Sequence, residues 1–242
     1  MFDALKRYLD ARRRRPNWRG LSAWARTAGH TLKRVREGDG LAIEGQTDGT
    51  PWRLEWGPSQ RAYIEGAELR LRVEAGLPGD LQLLVLTREL AERLERETFE
   101  QFTQTTRTYD DSSAPEEVRW LAMYTRVRLP KMLRGVYAAV GMEEEAALAW
   151  LDPTLSAQLL GQTGALRAGA RPLALIALRG RIYVRVGTAR VTPAMLDEVC
   201  ALADVAVRQA RALVRVRIET GAWASVAPSA WAAASSRAPL GR

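Results

Sequence analysis

The stretch PWRLEW, Pro51–Trp56, decides the fold. In an extended chain Trp52, Leu54 and Trp56 fall on one side and Arg53 and Glu55 on the other, because successive strand side chains point to opposite faces. A helix would scatter the three apolar residues around its surface. The segment is therefore read as a strand with one face in a core and one in water. ELRLRVE, Glu68–Glu74, repeats the pattern, with Leu69, Leu71 and Val73 one way and Arg70, Arg72 and Glu74 the other. Upstream, Leu41 and Ile43 alternate with polar neighbours before the turn-rich GQTDGT. GPSQ marks a further turn, and RAYIE, Arg61–Glu65, is expected to add one more strand. Together these segments predict an antiparallel meander.

The pattern changes at LQLLVLT, Leu81–Thr87, which lacks alternation and predicts a strand buried on both faces. A polar helix is expected over Arg88–Gln104. Nearer the start, Trp24, Ala28, Leu32 and Val35 recur at helical spacing. That predicts a helix capped by Ser22 and ended by Gly38, with Arg26, His30, Lys33 and Glu37 on its polar side. VRWLAMYTRVRL, Val118–Leu129, carries both kinds of signal. Pro115 with Glu116 and Glu117 suits a helix start, whereas the alternation after Tyr124 suits a strand, and the strand is preferred. Pro130–Val140 is read as a helix ending at Gly141, and Asp152-Pro153 as the start of a helix over Pro153–Leu160. PLALIAL and RIYVRV flank Arg179-Gly180, a hairpin signature. Thr192-Pro193 opens a long helix whose stripe runs through Leu196, Val199, Cys200, Ala203, Ala206, Val207, Ala210 and Leu213.

Strands in runs with helices between the runs imply an α+β fold, an antiparallel meander and hairpins with packed helices. A run of strands followed by a helix occurs twice, which suggests two similar α+β halves at residues 21–110 and 111–217. They would lie between a basic arm at 1–20 and an Ala/Ser/Pro-rich tail at 218–242, expected to be disordered. No uninterrupted apolar run exceeds the six residues Leu173–Leu178, too few to span a bilayer. With no secretory leader pattern and a single cysteine, a cytoplasmic protein is expected.

The net charge of +8 is unevenly placed. Residues 1–36 hold eleven Lys and Arg against Asp3 and Asp10, a balance of +9, so the remaining chain carries −1. A basic end argues for an arm, where a basic body would argue for a broad nucleic-acid surface. Arginine richness as such is weak evidence. Of 36 basic residues 33 are Arg, a skew that a GC-rich bacterial genome would give regardless of function. Clustering is better evidence, because codon bias does not choose a position.

Sequence signals for chemistry are sparse. One His and one Cys, 170 positions apart, make no zinc-type ligand set, so no metal and no cofactor is expected. Asp110-Asp111 with Glu116 and Glu117 lacks the spacing of a calcium loop. No GxxxxGK[ST] is present, and no GxGxxG joins a strand to a helix. His30 is expected on the polar side of a basic helix, and Cys200 on an apolar stripe as a small buried thiol. A carboxylate-based enzyme is the least favoured reading.

Two surfaces invite a binding role. Arg181, Tyr183 and Arg185 alternate on RIYVRV as Arg70 and Arg72 do on ELRLRVE. Such a sheet face is able to stack and pair with RNA, but Glu55, Glu65, Glu68 and Glu74 favour a salt-bridged outer face. The stronger signal is ARRRRPNWRG, where Arg12, Arg13, Arg14 and Arg15 precede Trp18 and Arg19. Cations interleaved with aromatics suit anionic surfaces and single-stranded nucleic acid. The expectation is a non-catalytic adaptor docking through these six residues on an anionic partner, a membrane surface or an acidic protein. It would be cytoplasmic or peripheral to a membrane. Nucleic-acid binding through the arm and the Arg-bearing strands is the alternative.

Overall fold

The computed structural model describes residues 16–35, 40–104, 115–162, 166 and 171–221. Residues 1–15 of the basic arm, the pair Asp110-Asp111 and the chain beyond residue 221 lie outside them. The fold is α+β, built on one eight-stranded antiparallel sheet. Helix α1 (Trp18–Thr27) leads into β1 (Thr31–Arg34), β2 (Leu41–Thr47), β3 (Thr50–Pro58), β4 (Ala67–Val73) and β5 (Leu83–Thr87). Then come α2 (Arg88–Gln104), α3 (Glu116–Met123), the single turn α4 (Lys131–Arg134) and β6 (Tyr137–Gly141). Helices α5 (Glu144–Trp150) and α6 (Pro153–Leu160), the hairpin β7 (Leu173–Leu178) and β8 (Arg181–Gly187), and the long α7 (Pro193–Glu219) follow among the described residues.

The strand order is β1-β2-β3-β4-β8-β7-β5-β6. Strand β4 pairs with β8, and β5 lies between β6 and β7, so strands from residues 21–110 and 111–217 interleave in one sheet. Their inward rows form one core. The row Leu54, Leu71, Val184, Leu175, Val85 and Ala139 crosses six strands and is apolar throughout. These residues pack with Leu196, Val199, Leu202 and Ala206 of α7, Leu21 of α1, Trp150 of α5 and Leu155 of α6.

The opposite face changes character along the same rows. Arg53, Arg72 and Tyr183 on β3, β4 and β8 continue as Ile176, Leu84 and Val140 on β7, β5 and β6. At the apolar end this face is covered by Leu90, Ala91 and Leu94 of α2 and Trp120 of α3. Here LQLLVLT is buried on both faces, as its lack of alternation implies. At the charged end Arg53, Arg70 and Arg72 keep access to solvent.

Four local expectations are corrected. The helix drawn from Ser22 to Gly38 is, over its described part, α1 followed by β1. Asn17, not Ser22, caps α1, and Gly29 with φ +70° turns the chain into the strand. RAYIE is a turn whose Tyr63 and Ile64 are both buried. Val118–Leu129 begins as α3 and becomes extended only after Met123, where Val127 donates to the Ala139 carbonyl. Pro130–Val140 holds one helical turn, after which Tyr137–Gly141 enters the sheet, buried at every position. Helix α5 follows without having been expected. Expected and found with the same bounds are α2 and α6, the latter capped by Asp152 accepting from the Leu155 amide at 2.8 Å.

Candidate functional site

Of the six residues expected to form the docking arm, Arg12, Arg13, Arg14 and Arg15 lie outside the described residues, while Trp18 and Arg19 open α1. Asn17 Oδ1 accepts from the Gly20 amide at 3.2 Å, which fixes the start of the helix. Trp18 is not free. It packs against the core, and the Arg34 guanidinium sits 4.3 Å from its ring centroid, a cation–π contact. Trp24 is half-buried, and its Nε1 donates to Asp197 of α7 at 2.6 Å. The solvent side of α1 is formed by Arg19, Ser22, Ala23, Arg26 and Thr27. It offers cations separated by small side chains and no bulky apolar group.

His30 occupies a different place from the one its sequence position suggests. It lies beyond α1 between Trp24 and Trp52, with ring centroids 5.3 and 4.6 Å away. Burial among these rings lowers its pKa from the ordinary value, which favours the neutral imidazole. Gly45 makes room for the stack, since a Cβ there would lie 2.3 Å from Trp52 Cζ2 and 2.7 Å from His30 Nδ1. On α7, burial pushes the Cys200 thiol up to about 12, with Asp197 and Asp204 adding to the effect. A thiol so placed holds almost no reactive thiolate at neutral pH. Among the described residues no group of three His, Cys, Asp or Glu is placed to hold a metal ion.

Two buried polar clusters escaped the sequence reading. Glu117 of α3 is 2% exposed and accepts from Arg61 Nε and, at 2.8 Å, from the Tyr63 hydroxyl. Burial alone would raise its pKa, but the Arg61 bond, its own backbone amide, the Arg61 charge and Tyr63 together bring it below the ordinary value. This clamp makes RAYIE a turn seated under α3. In the second cluster Glu68 is fully buried and pairs with Arg185, itself 6% exposed. Glu68 Oε2 also accepts from the Gln60 amide at 2.9 Å and Ser59 Oγ at 3.1 Å. Glu68 and Arg185 are 117 residues apart in sequence, and only the β4–β8 register joins them. A sequence signal exists for each half, a charge on the polar row of an alternating strand, but none for the pairing.

Around that pair the charged end of the sheet forms a lattice. Arg53 bridges Glu44 and Glu55, Arg70 donates to Glu55 at 2.8 Å, and Glu74 pairs with Arg72 at 3.0 Å and Arg181 at 2.7 Å. The lattice realises the salt-bridged outer face. Glu65 is not part of it, being exposed in the β3–β4 turn. A shallow depression of about 110 Å³ opens on this face, lined by Arg53, Glu55, Gln60, Arg70, Arg72, Tyr183 and Arg185.

No protein-family model, no curated protein and no solved structure matches this chain.

Proposed function

We propose that the protein is a non-catalytic adaptor that docks on an acidic protein through Arg12, Arg13, Arg14, Arg15 and Arg19, with Trp18 bracing the start of α1 against the core. The observation that carries this reading is the coincidence of charge with placement. The whole positive excess falls in residues 1–36, and α1 continues the arginine run with Arg19 and Arg26 on its solvent side. Small residues between those cations permit close approach of carboxylates on a partner, which Arg pairs bidentately. A membrane surface fits less well. Trp18 and Trp24 are engaged with Arg34 and Asp197, so neither ring is available at the headgroup level, where interfacial helices place tryptophan.

A second reading, nucleic-acid binding, has one observation in its favour: Arg70 and Arg72 on β4 face Arg185 and Tyr183 on β8. Against an extended strand stand the carboxylates of Glu44, Glu55 and Glu74, which would meet a phosphate track with like charge. The test is a titration of the full chain and of its R12Q/R13Q/R14Q/R15Q variant with poly-glutamate, phosphatidylserine vesicles and single-stranded DNA at about 50 mM salt. The account expects binding of poly-glutamate by the wild type, lost in the variant. Preference for vesicles or DNA would replace it with one of the other partners.

A further inference from the structure

We infer that the depression on the charged end of the sheet is a binding site for a phosphate monoester dianion, separate from the docking arm. Three observations converge on it. The first is register. Pairing sets Arg53 opposite Arg72 and Arg70 opposite Arg185, two cross-strand pairs of like charge that gather four guanidiniums on one patch even though each also has a carboxylate partner. The second is charge count. The lining brings together the guanidiniums of Arg53, Arg70, Arg72 and Arg185 with the single carboxylate of Glu55, their further carboxylate partners Glu44, Glu74 and Glu68 lying outside the lining. A lining so rich in guanidinium suits the double negative charge that a phosphate monoester carries above its second pKa near 6.

The third is donor geometry. A guanidinium carries five N–H donors. Arg70 commits Nε to Glu55 and Nη1 to the Pro58 carbonyl, and Arg72 contributes Nε to its Glu74 pair. Further donors on both remain for a ligand, and Arg72 is about half exposed, its side chain at 48%. The buried Arg185–Glu68 pair and the Gln60 amide bound to Glu68 hold the floor rigid. The depression, at about 110 Å³, has the volume of a few waters. It takes a phosphate head and leaves the rest of the ligand outside, over the half-buried Tyr183. The interleaved carboxylates make it a site for one dianion, not for a phosphate track.

Isothermal titration of the full chain with inorganic phosphate tests the site, with acetate at matched ionic strength as the monoanion control. The expected result is saturable phosphate binding in the millimolar range or tighter, weakening as pH falls through the second pKa of inorganic phosphate and the dianion takes up a proton. It should drop about tenfold in Arg72→Gln and in Arg70→Gln, two partly exposed positions whose loss spares the buried pair. Arg208→Gln on the exposed side of α7, outside both surfaces, should leave it unchanged. The inference is overturned by absent or non-saturable binding, by equal affinity for acetate, or by unchanged affinity in both strand variants. Binding of an oligonucleotide far tighter than of phosphate would overturn it too, putting a strand track in place of a single-dianion site.

Discussion

At the scale of single residues, the fold depends on a few charges held out of water. Glu68 is completely buried and Arg185 nearly so, and removing one member of such a pair strands the other charge. Glu68→Ala should therefore cost about 3–5 kcal/mol of stability in urea unfolding, whereas Glu68→Leu combined with Arg185→Met should be close to neutral. Equal losses in the single and double variants would contradict this. Glu117 gives a pH dependence. Its pKa in the folded chain lies below the ordinary 4.5, so its contribution is fully present above that value and is lost as pH falls through the lower, folded pKa. Thermal melts should show wild type losing stability between about pH 5 and pH 3, with Glu117→Gln less stable at neutral pH and flatter across that window. Charges on exposed faces were legible in the sequence because alternation assigns a face to every strand residue. Buried pairs were not, because their partners lie on distant segments. His30 was misplaced for a local reason, since Gly29 ends the helix on which it was expected.

At the scale of elements, legibility followed the strength of local punctuation. Asp152-Pro153 and Thr192-Pro193 place a capping oxygen and a proline at helix starts, and α6 and α7 begin where they predict. The hairpin β7–β8 turns at Arg179 and Gly180, both with positive φ, at 50° and 80°, the type I′ geometry that matches strand twist. Gly180→Ala forces a Cβ to 3.1 Å from the Leu77 carbonyl oxygen at φ +80° and should destabilise by about 1–2 kcal/mol in chemical unfolding. No measurable change would count against the turn. Where elements were misread, a tertiary partner overrode local pattern. Trp24 and Leu32 both pack on the core, as their spacing implies, but from a helix and a strand. Tyr137–Gly141 has helix-compatible alanines yet completes the sheet beside β5. β1, only four residues long and carrying Lys33 and Arg34, has the short, charged character that protects a sheet edge from unwanted pairing.

At the scale of the whole molecule, one sheet serves two purposes. Its apolar end is covered by α2 and α3 on one face, and on the other it shares with the charged end the core formed with α5, α6 and α7, while the charged end keeps one face in water. Alternation in PWRLEW and ELRLRVE, set against its absence in LQLLVLT, already separates the two ends in the sequence. The strand order that interleaves the two segments carries no local signal, because register is set by matching apolar rows across the sheet. The account assigns docking to the charged N-terminal run continued by α1, and not to the Arg-bearing strands. Hydrogen–deuterium exchange on the full chain, with and without saturating poly-glutamate, tests that assignment most directly. The account predicts new protection in peptides spanning residues 12–26 and unchanged exchange in β3, β4 and β8. Protection confined to those three strands, with residues 12–26 unaffected, would contradict it.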